Sequence, residues 1–403
     1  MDILTQLESP ALWQDFLEYR KTSYRLTAQE ERELLQFIDN EEYLPILRGI
    51  RQGNPFPYPR KAAISKKSTS KKRIVYIYPP KENWVLKAMT HLLLRRYDDL
   101  FTPNLYSFRA GHGVQEAVDY LHRTPNIGQM WSYKADIRNY FNSIPVDNLL
   151  PLLKQAIPDE PEVYHFLDSM LKNPLVLDQG NLISEEKGIM AGCPLSTFLA
   201  NLYLCELDKL FFENRWIYAR YSDDIILFAP NREELDMRIS MVHQFLAEKG
   251  LTINPDKESF SQPGEPWIFL GICHSDGVVD VAPVSVEKIK AKMRRKTRAL
   301  RRWADRKHLD GIHAARAFIK VFNRKLFENP ISNDLTWARW FFPLITTDKS
   351  LREIDHYAQQ CIRTLATGSH TKSAYNFRYE QMKGLGYISL VNRYYSFHQE
   401  NQS

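Results

Sequence analysis

The sequence has little cysteine: four residues in 403, at Cys193, Cys205, Cys273 and Cys361. None stands in a CxxC pair. His274 adjoins Cys273, with no second cysteine or histidine beside them at zinc-ligand spacing. A disulfide scaffold and a structural zinc finger are therefore not expected, and the cysteines read as reduced thiols of a cytoplasmic protein. No apolar run reaches the roughly 18 residues of a membrane span, so no membrane partner is expected. The acid-bearing start, Met1 to Gln14, has no secretory core. Disorder is excluded by 44% hydrophobic against 25% charged residues. The net charge is only +6, from 54 Lys+Arg against 48 Asp+Glu, so its distribution matters more than its sum.

What is present divides the chain into stretches. Residues 1–58 read as a helical extension, with Leu34, Leu35, Phe37, Ile38, Leu44, Ile46 and Leu47 as an apolar face broken near Asp39–Glu42. Gly53 to Pro59 is a linker. Arg60 to Arg73 holds seven Lys/Arg and no acid, and by itself reads as a solvated loop. Arg73 to Tyr78 predicts a strand, residues 82–122 mainly helix interrupted at 101–104, and Trp131 to Ile137 a buried strand. Apolar residues at three- and four-residue spacing predict one long amphipathic helix over 196–213. Trp216 to Phe228 predicts two apolar strands around a polar tip, followed by a helix at 232–249. Strands are expected at Trp267–Ile272 and Val278–Val284. Residues 285–308 carry eleven Lys/Arg against Glu287 and Asp305, with a thin apolar seam of Ile289, Met293, Leu300 and Trp303. The remainder is helical and aromatic-rich. Trp337, Trp340, Phe341, Phe342, Tyr375, Phe377 and Tyr379 read as helix-bundle core rather than base-stacking platforms, and Tyr387, Tyr394 and Tyr395 share that reading. There are no internal repeats.

Three acids stand where acids are costly. Asp136 ends an apolar strand, and Asp223 and Asp224 sit at a hairpin tip between apolar arms. Paired aspartates often form plain turns. Such a turn wants Gly or Asn for positive φ, and this one has neither. Like charges forced together beside a core are relieved by a divalent cation, and Mg²⁺ accepts one or two carboxylates together with substrate phosphates. Two strands that each present an acid can build a two-metal clamp for nucleotidyl transfer.

The motifs around these acids carry a family resemblance. Asp136-Ile137-Arg138-Asn139-Tyr140-Phe141-Asn142-Ser143-Ile144 resembles the first catalytic motif of reverse transcriptases. Lys187-Gly188-Ile189-Met190-Ala191-Gly192-Cys193-Pro194-Leu195-Ser196, running on to Asp208, resembles the second, and Tyr221-Ser222-Asp223-Asp224 is similar to the third. Gly250 to Lys257 and Phe269-Leu270-Gly271 match the next two. Tyr106-Ser107-Phe108-Arg109-Ala110-Gly111 resembles an upstream element of group II intron and related bacterial enzymes. Six elements in the family's order cover about residues 70–275.

The resemblance implies an α+β right-hand polymerase. Its parts would be fingers at 59–130, an antiparallel RRM-like palm sheet with helices on one face at 131–284 (with finger segments near 145–190), and an α-helical thumb from 285 to 403. Asp136 and Asp223 would hold two Mg²⁺ ions, with Mn²⁺ as a substitute. Asp224 would be the less engaged acid, and Ile137 would offer its backbone carbonyl. Phe141 would be the gate that excludes a 2′-hydroxyl, with core packing as its plain alternative. Lys257 would either protonate the leaving pyrophosphate or neutralise charge. Lys72 and Arg73 would grip the triphosphate. Tyr140, Gly192 and Pro194 fall in the implied nucleotide site, and Gly188 and Gly192 would let a loop approach the base pair. Arg109 is open between a structural role and nucleic-acid binding. Lys292, Arg294, Arg295, Arg298, Arg301 and Arg302 would track phosphates.

The chain also departs from the pattern. Met190-Ala191 stands where group II intron and retroviral enzymes carry Pro-Gln, Asn142 replaces a frequent Asp, and the marks of retron enzymes are missing. The length leaves room for a polymerase hand and for no RNase H, nuclease or integrase. The resulting expectation is a stand-alone bacterial RNA-directed DNA polymerase. It would use dNTPs to make cDNA from a dedicated non-coding RNA in antiviral defence, in the manner of the unknown-group reverse transcriptases. Untemplated or protein-primed synthesis, a retroelement enzyme and a non-catalytic RNA-binding module are the alternatives. The oligomeric state is left open.

Overall fold

The computed structural model describes residues 1–24, 26–65, 72–328, 336–369 and 371–400. The chain divides into two compact units, Met1–Glu265 and Pro266–Ser403. Both are α+β, and their sheets are antiparallel apart from one parallel pairing. Among the described residues, no helix is long and apolar enough to cross a membrane.

The first unit begins with helices Ile3–Leu7, Pro10–Tyr24, Ala28–Asp39 and Tyr43–Arg51. Trp13, Phe37 and Tyr43 are buried in mutual ring contact, so this extension has a core of its own that joins the main one. Glu160 ties it down. Its buried carboxylate accepts the Ile3 N–H at 2.9 Å and pairs with Arg96 at 2.7 Å.

Two sheets follow. The first has the order β2-β1-β4-β5: β1 is Arg60–Ser65, β2 Lys72–Ile77, β4 Leu175–Asp178 and β5 Asn181–Ser184. The basic stretch read as a loop is therefore a strand over Arg60–Ser65, paired in register with β2 from Arg60↔Ile77 to Ser65↔Lys72. The Ser-rich residues 66–71 lie outside the described residues. The second sheet has the order β6-β7-β3-β8, all antiparallel: β3 is Trp131–Asp136, β6 Tyr218–Tyr221, β7 Asp224–Ala229 and β8 Ser259–Ser261. β7 is an apolar run buried along Ile225–Ala229, the pattern of a strand covered on both faces. Helix Arg232–Glu248 packs on β3 and β7. Helices Val114–Arg123 and Cys205–Glu213 pack on β6.

The long helix expected over 196–213 is two helices, Ser196–Tyr203 and Cys205–Glu213, with Leu204 leaving helical geometry between them. Both helices bury apolar residues, so the hydrophobic period runs across the break and hides it. The segment expected to be helical over 82–122 is helix Pro80–Arg96 and helix Val114–Arg123. Between them runs an irregular stretch held by Arg109.

In the second unit, β9 (Trp267–Phe269), β10 (Ile272–Ser275) and β11 (Val278–Val281) form a sheet in the order β11-β10-β9. The 24-residue helix Pro283–Arg306 then packs with helices Gly311–Leu326 and Lys349–Thr367. Its buried seam is Val286, Ile289, Met293, Leu300 and Ala304. Trp303 is only half-buried, which corrects the expected seam. Helix Leu390–Glu400 is anchored by buried Asp355, which accepts the Leu390 and Val391 N–H groups at 2.9 and 3.1 Å and the Tyr387 and Ser389 hydroxyls. Phe341, Phe342, Phe377, Tyr387 and Tyr394 are buried as expected of a bundle core, and Trp337, Trp340 and Tyr379 are half-buried. Tyr375 and Tyr395 are exposed.

Candidate active site

The register of β3 against β7 sets Asp136 opposite Asp224, with Asp223 one residue further into the turn. The Ile137 N–H donates to the Asp223 carbonyl at 3.0 Å, so backbone pairing continues past the end of β3 and fixes the turn against it. The turn is a two-residue hairpin, Ser222-Asp223, closed by the pair Tyr221↔Asp224. Its positive φ is supplied by Ser222 at +59°, where a hairpin of this kind ordinarily has glycine. Such a conformation costs about 1 kcal/mol or more in a residue with a Cβ. Buried partners hold it. The Ser222 N–H donates to the Ser107 hydroxyl at 2.9 Å, and its carbonyl accepts from Arg220 at 3.2 Å. Arg220 and Asp208 are themselves fully buried and paired in a two-pronged contact.

The electrostatics of the three acids differ. Burial, then the neighbouring Asp136 and Asp224 carboxylates, raise the Asp223 carboxyl from the usual 3.8 to about 6. Asp224 is raised by burial and opposed by Lys134, which lies 3.5 Å away. Asp136 is paired with Lys257. That lysine is delivered by the turn Pro255–Lys257, in which the Asn254 side chain accepts the Asp256 N–H. The turn is fastened to the end of β3 by the Asn254 N–H on the Asp136 carbonyl at 2.8 Å. Among the described residues, no three His, Cys, Asp or Glu side chains close around one point as a ready-made metal cage. Two carboxylates suffice for a cation that takes its other ligands from phosphates and water. The raised carboxyl of Asp223 marks uncompensated negative charge at that position, so the residues fit a bound cation.

A cleft of about 760 Å³ opens over Asp136 and Asp223, with Asp224 outside its wall, a volume suited to a nucleotide-sized ligand. Asp136, Asp223, Ile137, Phe141 and Lys257 line it together with Lys72 and Arg73. Phe141 is half-buried, and the Arg73 guanidinium lies 5.9 Å from its ring centre. Lys72 and Arg73 are exposed at the start of β2. The sequence reading missed Lys61, Tyr76 and Glu185, which also line the cleft. The Glu185 carboxylate accepts from the Tyr76 hydroxyl at 2.6 Å and pairs with Lys61. Their partnership links β1, β2 and the segment after β5, and no local pattern announces it. Lys187 was not singled out either; burial pulls its ammonium down to about 8.

Other site expectations change. The Tyr140 ring is in the core with its hydroxyl on the Ala200 carbonyl at 2.6 Å, and the residue still contributes to the cleft wall. Arg109 resolves to the structural role. Its fork grips Asp98 at 2.8 and 3.0 Å and the carbonyls of Phe101, Thr102 and Leu105, and its side chain is 4% exposed. It has nothing left to offer a phosphate. In the second unit, Arg294, Arg295, Arg298, Arg301 and Arg302 are exposed on helix Pro283–Arg306, and Lys292 is half-buried.

The loop 188–192 is stapled to its surroundings. The Ala191 N–H donates to the Asn142 side-chain carbonyl at 2.7 Å, while the amide nitrogen of Asn142 donates to the Ile74 carbonyl at 3.3 Å. The Tyr76 N–H donates to the Ala191 carbonyl at 2.8 Å. An amide serves both ends of this bridge, whereas the carboxylate of an aspartate would set oxygen against the Ile74 carbonyl. Met190 points into the core and is fully buried, and Ala191 is the loop residue that reaches the cleft. Gly192 and Pro194 are not part of the cleft wall among the described residues.

Gly188 has φ +52°, and a Cβ there would sit 2.6 Å from the Phe141 carbonyl oxygen and 2.7 Å from the Asn142 carbonyl carbon. The constraint at Gly188 is thus close approach to the protein's own backbone. Gly188→Ala is expected to destabilise the fold by about 3 kcal/mol. A shift of the urea midpoint smaller than that of an exposed Gly→Ala control at Gly180 would refute it.

A family model described as "Reverse transcriptase (RNA-dependent DNA polymerase)" matches residues 64–274. A group II intron-encoded protein from Lactococcus lactis subsp. cremoris is 26% identical over 209 residues, 51% of this chain and 34% of that protein. An uncharacterised 91 kDa protein in the cob intron of Schizosaccharomyces pombe is 30% identical over 158 residues, 39% of this chain and 19% of that protein. The chain spans about a third or less of the length of these curated relatives. Among solved structures, telomerase from Candida albicans in complex with a fragment of telomeric RNA superposes with a TM-score of 0.46. That match is at 13% identity and covers 83% of this chain and 62% of that one.

Proposed function

The chain belongs to the reverse transcriptase (RNA-dependent DNA polymerase) family, and from that premise we propose that it copies RNA into DNA by two-metal nucleotidyl transfer. One observation carries the reading: Asp223, its carboxyl raised to about 6 by burial and by Asp136 and Asp224, lines a cleft together with Lys72, Arg73 and Phe141.

Asp136 and Asp223 would hold two divalent ions, Mg²⁺ with Mn²⁺ as substitute, and the Ile137 carbonyl is the third candidate donor. Bound there, the ions would supply activation of a primer 3′-hydroxyl and stabilisation of the pyrophosphate leaving group. The protein's own residues do the rest. Lys72 and Arg73 present cations to the triphosphate, and Arg suits two-pronged phosphate contact. The Phe141 ring stands where it can exclude a 2′-hydroxyl. Lys257, paired with Asp136, supplies a proton or positive charge beside the leaving group. Exposed arginines on helix Pro283–Arg306 bind template–product phosphates, which makes affinity steeply salt-dependent.

The template is proposed to be a dedicated non-coding RNA, and the setting antiviral defence in a bacterial cytoplasm. Support for this is the resemblance to stand-alone unknown-group enzymes. A second reading, untemplated or protein-primed synthesis, is favoured by one feature. Ala191 brings only a methyl group to the cleft, where a glutamine amide would otherwise meet the nucleotide.

The test is extension of a labelled primer on a defined RNA with dNTPs and Mg²⁺, followed by sequencing of the product. A complement of the added RNA is expected. A product unrelated to any RNA present supports the second reading. No product from the wild-type chain, or equal product from the Asp223→Ala/Asp224→Ala variant, removes the assignment.

A further inference from the structure

We propose that Phe108 is a positioning residue that sets the ring of Phe141 and thereby the choice between deoxyribose and ribose. The proposal rests on reading the cleft as a nucleotide site with Phe141 beside the sugar.

Phe108 is a large apolar ring left 36% exposed, in the left-handed region at φ +61°. Both properties are unfavourable for phenylalanine, whose Cβ clashes at positive φ and whose ring is better buried. Its flanks leave it no escape. Ser107 is fully buried, its hydroxyl donating to Asn201 at 3.1 Å and accepting the Ser222 N–H at 2.9 Å. On the other side, Arg109 is locked onto Asp98 and three carbonyls. Rigid neighbours therefore over-determine the backbone at residue 108 and hold its ring out of the core.

The ring is held against the site. Its centre lies 6.3 Å from that of Phe141, edge to face at 73°, and 6.5 Å from that of Tyr221, the residue that closes the Ser222-Asp223 turn. Among the described residues, Phe141 also has Tyr140 at 5.6 Å and the Arg73 guanidinium at 5.9 Å as ring neighbours. Tyr140 is fixed in the core. Arg73 is the group assigned to the triphosphate and moves to its own task when substrate arrives. Phe108 is then the contact that keeps the exposed edge of Phe141 from tipping aside. A ring anchored to the Ser107–Ser222 hydrogen bond also ties the gate to the turn that carries Asp223. Removing it opens space beside Phe141, into which the gate can rotate and admit a 2′-hydroxyl.

The experiment compares single-nucleotide incorporation of dNTPs and rNTPs by wild type, Phe141→Ala, Phe108→Ala, Phe108→Gly and Phe108→Tyr. Calorimetric binding of dATP and ATP in Ca²⁺ gives a second readout that needs no turnover. Phe108→Ala and Phe108→Gly are each expected to lower the deoxy-to-ribo preference about tenfold, through gained ribonucleotide acceptance. Phe108→Tyr, which keeps the ring, should keep the preference. Glycine accepts positive φ, so Phe108→Gly should melt above Phe108→Ala while discriminating no better. That separates the ring's task from folding. A wild-type preference in both ring-less variants, alongside a lost one in Phe141→Ala, overturns the proposal and leaves the nucleotide-site reading standing. Equal losses for dNTP and rNTP overturn it too, since a merely structural residue would act that way. An unchanged preference in Phe141→Ala removes the gate reading itself, and the proposal with it.

Discussion

Asp223→Asn will raise the thermal midpoint of the metal-free protein while removing nucleotidyl transfer. In the folded chain the Asp223 carboxyl keeps its proton up to about pH 6, against a usual value of 3.8. Between those values the folded state binds more protons than the unfolded one, so stability falls as pH rises. This group's contribution is fully present below about pH 4 and is lost as pH passes 6. At pH 7.5 the metal-free fold carries an ionised, buried carboxylate beside Asp136 and Asp224 at a cost of about 3 kcal/mol. Asparagine has the shape of the protonated acid and no charge to desolvate. The midpoint in EDTA at pH 7.5 should rise by several degrees. Near pH 4 the two proteins should melt together.

Divalent ions should reverse the ranking. Mg²⁺ at pH 7.5 should stabilise wild type and leave Asp223→Asn nearly unmoved, because a ligand that binds only the folded state stabilises it by RT ln(1 + L/Kd) at free concentration L. Protons compete for the same oxygens, so Mg²⁺ affinity should weaken as pH drops through 6. Incorporation by the variant should fall by about 10³-fold or more. Calorimetry with and without Mg²⁺ over pH 4–8 checks this. A variant less stable than wild type in EDTA at pH 7.5 would sink the explanation, since Asp223 would then be a stabilising residue.

The elements that carry the acids were legible because apolar arms flank them. β3 and β7 are buried runs ending in charge, and few strands end that way without cause. β1 was not legible. Arg60, Ala63 and Ile64 are exposed along it, so it has no inward-facing stripe, and its place comes from backbone pairing with β2. The break at Leu204 was hidden by apolar spacing that continues through it. The role of Arg109 could not be decided from sequence, because the carbonyls it binds face it only once residues 98–105 fold back. The burial of the Tyr140 ring was open for a related reason: a motif fixes a residue's neighbours in sequence and leaves open which way its ring turns. One signal was present and unread. Asp208 and Arg220 are opposite charges inside two apolar stretches, 12 residues apart, and a charge in such a setting needs a partner.

That pair yields the largest expected loss of stability. Arg220→Met should destabilise the first unit by about 3–5 kcal/mol, because Asp208 would stay buried with its countercharge gone. Arg220 is wholly buried, and Asp208 is 1% exposed. The Asp208 carboxylate also accepts from the Tyr218 hydroxyl at 3.0 Å. Adding Asp208→Asn removes the stranded charge and keeps an acceptor for that hydroxyl. The double variant should therefore recover much of the lost stability in a urea titration. Activity should not recover with it. Arg220 also donates to the Ser222 carbonyl at 3.2 Å and to that of Asn201 at 3.3 Å, and the refilled core leaves both without that donor. Ser222 would then hold its positive φ with one anchor, the Ser107 hydroxyl, and the turn bearing Asp223 would be kept against Asp136 by its backbone pairing with β3 alone. A double variant that regains stability but stays slow, with weakened Mg²⁺ binding, separates the two tasks of Arg220. One that regains stability and full activity would show that the arginine serves only to neutralise Asp208.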